Sequence, residues 1–254
     1  MTHTVPQTSR IPTGRRVLRI LTGALAFLFS LTLFTGCGGE KKGQKEYEEG
    51  MNFYTVQQYE SAVKQFAAAA NLGHAEAQNQ LGFCFVEGLG VKPDSAEAVK
   101  WWRKAAEQGN ASAQFNLGVR YYIGDGVKQD KSEAAKWWRK ASEQGNANAQ
   151  FNLGVCYDNG IGVKKDLKEA AKWYRKAAEL GNADAQFNLG LCYYQGAGVD
   201  ENAKEASKWI QKAADQGHAE AKKMIKKGDE IQENINYIGS QQWLDDVLNG
   251  KFNE

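Results

Sequence analysis

The sequence predicts an all-α protein, an α/α superhelical solenoid of helical-hairpin repeats, and three observations carry that reading. Four segments of 36 residues, 74–109, 110–145, 146–181 and 182–217, align with one another without a gap. A fixed period of this length marks stacked supersecondary units, each unable to bury its apolar face alone. Within each segment apolar residues recur at helical spacing twice, with a Gly-x-Gly-Val loop between the two stretches. The chain has 27 Gly but only three Pro, and each segment places four of its Gly at the same positions. They are punctuation between helices rather than linker.

The elements follow in chain order. Arg15 to Arg19 form a basic cluster, followed by an uncharged, largely apolar run from Ile20 to Phe34 and then Thr35-Gly36-Cys37-Gly38-Gly39. The fifteen residues of that run would span ~22 Å as a helix, short of the ~30 Å of a bilayer core. A basic start, a short apolar stretch and small residues at its end describe a secretory signal peptide over 1–37. The small residues before Cys37 resemble the lipobox of bacterial lipoproteins, which implies lipidation of Cys37. Phe34 stands where that motif has an aliphatic residue. An uncleaved membrane anchor is the alternative; in both cases the folded part is expected outside the cytoplasm, in the cell envelope. Residues 38–46 read as a charged tether.

Residues 47–73 carry Gly50, Phe53, Ala62, Phe66 and Ala69 at the spacing of a shorter hairpin. In the second full unit, Ala113, Gln114, Leu117, Gly118 and Tyr121 fall on one face of the first helix at 100° per residue. Gly118 has no Cβ, so the partner helix can approach closely, which outweighs a propensity cost of ~1 kcal/mol. Asp94 with Glu97, Asp130 with Glu133, Asp166 with Glu169 and Asn202 with Glu205 read as capping boxes opening the second helices. Ala134, Trp138 and Ala141 give such a helix its inner stripe, and Gly145 its stop. His74 and His218 stand where Asn110, Asn146 and Asn182 stand in the other units, in the N-cap neighbourhood of a first helix. Residues 218–254 read as C-terminal capping helices, with Ile231, Ile235, Ile238, Trp243, Leu244, Val247 and Leu248 as their apolar positions.

The pattern Ala-x-Ala-Gln-x-x-Leu-Gly-x-x-Tyr-x-x-Gly-x-Gly-Val, then Asp-x-x-x-Ala-x-x-Trp-x-x-x-Ala, resembles the Sel1-like repeat family over 74–217. That family is a longer-looped relative of tetratricopeptide repeats, and 47–73 resembles a unit of the tetratricopeptide type. The resemblance implies a scaffold that binds other proteins, and by likeness to tetratricopeptide arrays it places the first helices on a concave groove.

Composition and motifs exclude several chemistries. Residues 1–37 hold four Arg and no acid, so the remainder has 28 basic and 30 acidic residues and offers no nucleic-acid footprint. The sequence has no phosphate loop, Cys-x-x-Cys, His-x-x-x-His or Gly-x-Ser-x-Gly motif, and no catalytic residue, cofactor or metal is assigned. Ser61-Ala62-Val63-Lys64 matches the Ser-x-x-Lys of active-serine enzymes without their companion motifs. Some cysteine-rich relatives of the family have been assigned β-lactamase activity, but they pair two Cys inside each repeat and this chain does not. Cys84, Cys156 and Cys192 share one repeat position, with Arg120 in the remaining unit. Helices pack ~8–10 Å apart and a disulfide needs Cα atoms ~4.4–6.8 Å apart, so these Cys are expected as unbonded core residues.

The residues opposite the motif face of each first helix are the candidates for binding. Phe115, Tyr122, Phe151, Phe187 and Tyr194 are aromatic anchors that hairpin formation alone is expected to leave unburied. Asn116, Asn152 and Asn188 run beside them as amides able to bond a peptide backbone in both directions. The alternative for the Phe row is stacking of one ring on another between units. Trp102 and Trp138 read as core, and Trp101, Trp137, Trp173 and Trp209 as packing between units. The expected function is a non-enzymatic scaffold of the bacterial cell envelope that takes a partner protein or extended peptide, held to the membrane by a lipid on Cys37. A hydrolase resting on Ser61 and a carbohydrate binder using Tyr122 beside Asp158 are the other readings.

Overall fold

The computed structural model describes residues 42–227. Ten helices follow one another: α1 Gln44–Thr55, α2 Tyr59–Asn71, α3 Ala75–Glu87, α4 Ser95–Glu107, α5 Ala111–Ile123, α6 Lys131–Glu143, α7 Ala147–Asn159, α8 Leu167–Glu179, α9 Ala183–Gln195 and α10 Ala203–Asp215. Residues 219–227 are helical too, and no strand occurs among the described residues. The helices pair as hairpins, α1 on α2 through α9 on α10, and α2, α4, α6 and α8 also pack on the first helix of the next unit. This is the all-α solenoid that the repeat predicts. α1 starts at Gln44, so the last three residues expected in the tether are helical. Residues 1–37, with Cys37, and the positions around Trp243 lie outside the described residues.

Capping follows the sequence pattern and departs from it in one respect. The side chains of Asn110, Asn146 and Asn182, and Nδ1 of His74 and His218, each accept a backbone N–H three residues on. Asp94, Asp130, Asp166 and Asn202 cap the second helices in the same way. The expected reciprocal bond from the glutamate is not made. Asp94 N–H already donates to the Phe85 carbonyl at 3.0 Å, and Asp130, Asp166 and Asn202 repeat this with Tyr121, Tyr157 and Tyr193. Glu97, Glu133, Glu169 and Glu205 turn instead to Lys100, Lys136, Lys172 and Lys208, one turn further along.

Within a hairpin, the motif glycine seats a ring. A Cβ on Gly118 would lie 2.6 Å from the Trp138 indole, and one on Gly154 2.6 Å from the Tyr174 ring. Gly50 meets Phe66 in the same way, so 47–73 shares this joint. Leu117, Leu153 and Leu189 are fully buried beside these contacts. Trp102 and Trp138 are core, and Trp137, Trp173 and Trp209 are buried as well.

Between units, two contacts repeat, and a third closes three of the units on themselves. The second loop glycine rests on the preceding second helix: a Cβ on Gly126 would stand 2.2 Å from the Ser95 carbonyl oxygen, on Gly162 2.1 Å from that of Lys131, and on Gly198 2.0 Å from that of Leu167. Inside a unit, the end of the second helix ties back to the first: Gln108 donates its side-chain amide to Gln78 Oε1 at 2.7 Å, Gln144 to Gln114 at 2.8 Å and Gln216 to Gln186 at 2.7 Å. Arg103, Arg139 and Arg175 on second helices donate to the hydroxyls of Tyr121, Tyr157 and Tyr193 on the next first helices.

Candidate functional site

The candidate residues lie on α5, α7 and α9, and the structure distributes them unevenly. Phe115 is half-buried against the core that contains Trp138. Tyr122 packs on the Trp138 ring with centroids 5.5 Å apart, and Lys131 Nζ stands 5.9 Å from its centroid. Phe151 packs on Tyr174 at 6.0 Å. Both are contacts inside one hairpin, so the expectation that hairpin formation leaves these rings free does not hold for Tyr122 and Phe151. The cause is the size of the second-helix ring. Seated on the motif glycine, it reaches past the first helix to its outer face. Phe187 stacks on His218 at 4.6 Å, across to the next unit. No ring contact joins Phe115, Phe151 and Phe187, so the row is not a stack.

The amides differ in the same way. Asn116 Nδ2 donates to Asn79 Oδ1 at 3.2 Å, bridging two first helices. Asn188 stands near the Tyr174 hydroxyl, where its side chain works to lower that group's pKa. Asn152 is partly exposed, and its side chain makes no hydrogen bond among the described residues. Tyr194 is 59% exposed, among the most open large side chains of the fold.

Asp158, which the carbohydrate-binding reading sets beside Tyr122, is bonded to another ring. The Tyr174 hydroxyl donates to Asp158 Oδ2 at 3.3 Å. Burial, then the Asp158 charge, pushes the Tyr174 hydroxyl well above the usual phenol range, so it stays a neutral donor. This Asp158–Tyr174–Asn188 group is the feature that residue-by-residue reading missed. Its signal was two departures within one unit, Asp158 where Tyr122 and Tyr194 stand and Tyr174 where Trp102 and Trp138 stand.

His74 and His218 are helix caps with Nδ1 committed to a backbone N–H. Ser61 sits in the first turn of α2 beside a shallow depression bordered by Gln57, Tyr59 and Gly90, and no hydrogen bond joins it to Lys64. Cys84, Cys156 and Cys192 are free and buried. Among the described residues no cluster of His, Cys, Asp or Glu has metal-binding geometry, and no helix is long and apolar enough to cross a membrane.

The family model of the Sel1 repeat matches four successive stretches, 75–110, 111–146, 147–182 and 183–218. The chain is a Sel1 repeat protein. It is 40% identical to the crystal structure of a Sel1 repeat protein from Oxalobacter formigenes, with a TM-score of 0.66 over 69% of this chain and 70% of that one. It is 39% identical to a protective antigen displaying an SLR fold from uropathogenic Escherichia coli strains, with a TM-score of 0.68. That likeness covers 70% of this Sel1 repeat protein but 39% of the antigen's chain. Curated proteins give no match. Sel1 repeat proteins generally act as protein-interaction scaffolds, and the matched family is a repeat rather than a catalytic domain.

Proposed function

We propose that this protein is an interaction scaffold of the cell envelope, which holds a partner protein or extended peptide on the outer face of its first helices. The single observation that carries the reading is Tyr194, a large aromatic side chain left 59% exposed on a face otherwise lined by half-buried Phe151, Phe187 and Leu191. Exposed aromatic surface beside apolar residues and an unspent amide, here Asn152, fits the anchors that dominate protein interfaces. Phe115, Asn116 and Tyr122 lie on the same face but are tied into the fold, so the centre of the proposed site moves to Asn152 on α7 and Tyr194 on α9, with the partly engaged Phe151, Phe187 and Asn188 around them. The envelope location rests on the basic cluster, the apolar run and the Gly36-Cys37 pair, which favour export and a lipid on Cys37.

A photo-crosslinking side chain at Asn152, compared with one at Lys136 on the exposed surface of α6, tests the face. Adducts with one discrete protein at position 152 and none at 136 are expected; equal labelling at both, or labelling at 136 alone, would sink the reading. Incorporation of labelled palmitate by the wild type and not by Cys37→Ser is expected for the anchor, and an unlabelled wild type removes it.

A further inference from the structure

One repeat position shows how this fold treats a ring on the first-helix face, and where it leaves one without a partner. In the second unit Tyr122 lies against Trp138 under the ammonium of Lys131. In the fourth unit the equivalent ring is Tyr194, and the equivalents of Trp138 and Lys131 are Ile210 and Ala203. Tyr194 therefore has neither the covering ring nor the cation, and among the described residues it makes no ring, cation or hydrogen-bond contact. A tyrosine face carries negative quadrupole potential and attracts a cation when one is offered.

The charges of the array say which side lacks cations. The second helices α4, α6, α8 and α10 carry fourteen Lys and Arg against eight acids. The first helices α3, α5, α7 and α9 carry Glu76, Glu87, Asp158 and Asp184 and one base, Arg120. Arg120 is buried, pairs with Asp125 at 2.5 Å and lies against the Trp102 ring, so it offers no charge to the face. Asp158 takes the place in α7 that Tyr194 takes in α9. Its carboxylate accepts from the Tyr174 hydroxyl, and the Tyr174 ring packs in one buried cluster with Leu189 and Cys192 of α9, Cys192 standing two residues before Tyr194.

We propose that Tyr194 and Asp158 receive a lysine or arginine side chain of the partner segment, its cation over the Tyr194 ring and within reach of the Asp158 carboxylate, with an adjoining apolar residue of that segment against Val155 and Leu191. This rests on the reading of the first-helix face as the binding face, and names the chemistry of what binds there. The partner supplies at the fourth unit the cation that Lys131 supplies at the second.

The test is a selection of random dodecapeptides on the full-length chain in detergent, with dissociation constants measured for the selected sequences. Selected peptides carrying Lys or Arg beside an apolar residue are expected. Tyr194→Ala should weaken them about two- to thirtyfold, the range of a cation–ring contact. Tyr194→Phe should leave affinity within about twofold, because the ring is kept. Asp158→Asn should weaken binding and flatten its salt dependence. The thermal midpoint of Tyr194→Ala should match wild type, which excludes unfolding as the cause. Selected peptides without a cation, or ones indifferent to Tyr194→Ala, overturn the proposal. If such peptides are still lost with Asn152→Ala, the binding face survives and only its partner chemistry fails. Peptides indifferent to all these variants, or a selection that yields none, overturn both.

Discussion

Gln150 turns its Oε1 into the interior with no donor to meet it, because the residue thirty positions on is Leu180, 58% exposed, where three other units place a glutamine. Gln150 is otherwise normal, donating to the Ser142 carbonyl at 3.1 Å as Gln114 and Gln186 donate to Ala106 and Ala178. A buried acceptor without a partner costs about 1–3 kcal/mol. Leu180→Gln should therefore stabilise the protein by ~1 kcal/mol, read as a raised denaturant midpoint at unchanged slope. Gln144→Leu should do the reverse by stranding Gln114. A Leu180→Gln protein less stable than wild type would show that the rung adds nothing to closing the hairpin.

The two glycines of one loop should differ on substitution. Gly124 and Gly126 both hold φ above +70°, so alanine strains either by a similar amount. A Cβ on Gly124 first meets the Gln129 Cβ at 2.9 Å, a side chain on a loop that can shift. A Cβ on Gly126 meets the Ser95 carbonyl oxygen at 2.2 Å, and that backbone belongs to the preceding unit. Gly126→Ala should cost several kcal/mol more than Gly124→Ala, measured by equilibrium unfolding, since overpacking against fixed backbone adds to the turn strain. Equal losses would mean that the units part without resistance.

Arg103 and Tyr121 should be energetically coupled. Their bond of 2.6 Å crosses from α4 to α5, with the guanidinium 5.6 Å from the ring centroid. The chain holds its own control: Phe85 lacks the hydroxyl, and the residue in the arginine position of the unit before it is Ala67. Arg103→Ala and Tyr121→Phe in a double-mutant cycle should give a coupling of about 1 kcal/mol. Independent, additive losses would reduce the ladder to packing alone.

How much of this was legible depended on whether the information sat inside one helix or in the crossing of two. The close approach of the partner helix at Gly118 could be read, because a missing Cβ repeated on one helical face has one physical use, and the caps could be read because Asp130 and Asn110 act on their own next turn. The role of Gly126 could not: its neighbour is Ser95, thirty-one residues away in the preceding unit. The burial of Tyr122 was missed for a related reason. A helical wheel places it opposite the motif, but the reach of the Trp138 ring around the helix depends on the hairpin crossing and on ring size. Tyr194 keeps the exposure the wheel implies only because Ile210 is too small to do the same. Within the glutamates, the sequence pattern of a capping box was present while its second bond was not, since the N–H it needs was already taken by a carbonyl of the previous helix.

The three buried thiols should be silent until the fold opens. Burial pushes Cys84 from the usual 9.0 up to about 11, and Cys156 and Cys192 up to about 12. The thiolate is the reactive form, so at pH 8 none of them should react with iodoacetamide in the folded Cys37→Ser protein, whereas all three should after denaturation. A single fast-reacting native thiol would mark a unit that opens locally. The same shifts set a direction for stability. A group whose native value is raised keeps its proton longer when folded, so its contribution is complete below pH 9 and is lost as pH rises toward 11 and then 12. Cys156→Ala and Cys192→Ala should each flatten the fall in denaturant midpoint between pH 9 and pH 11, and a fall as steep as wild type in the double variant would assign the alkaline loss to other groups.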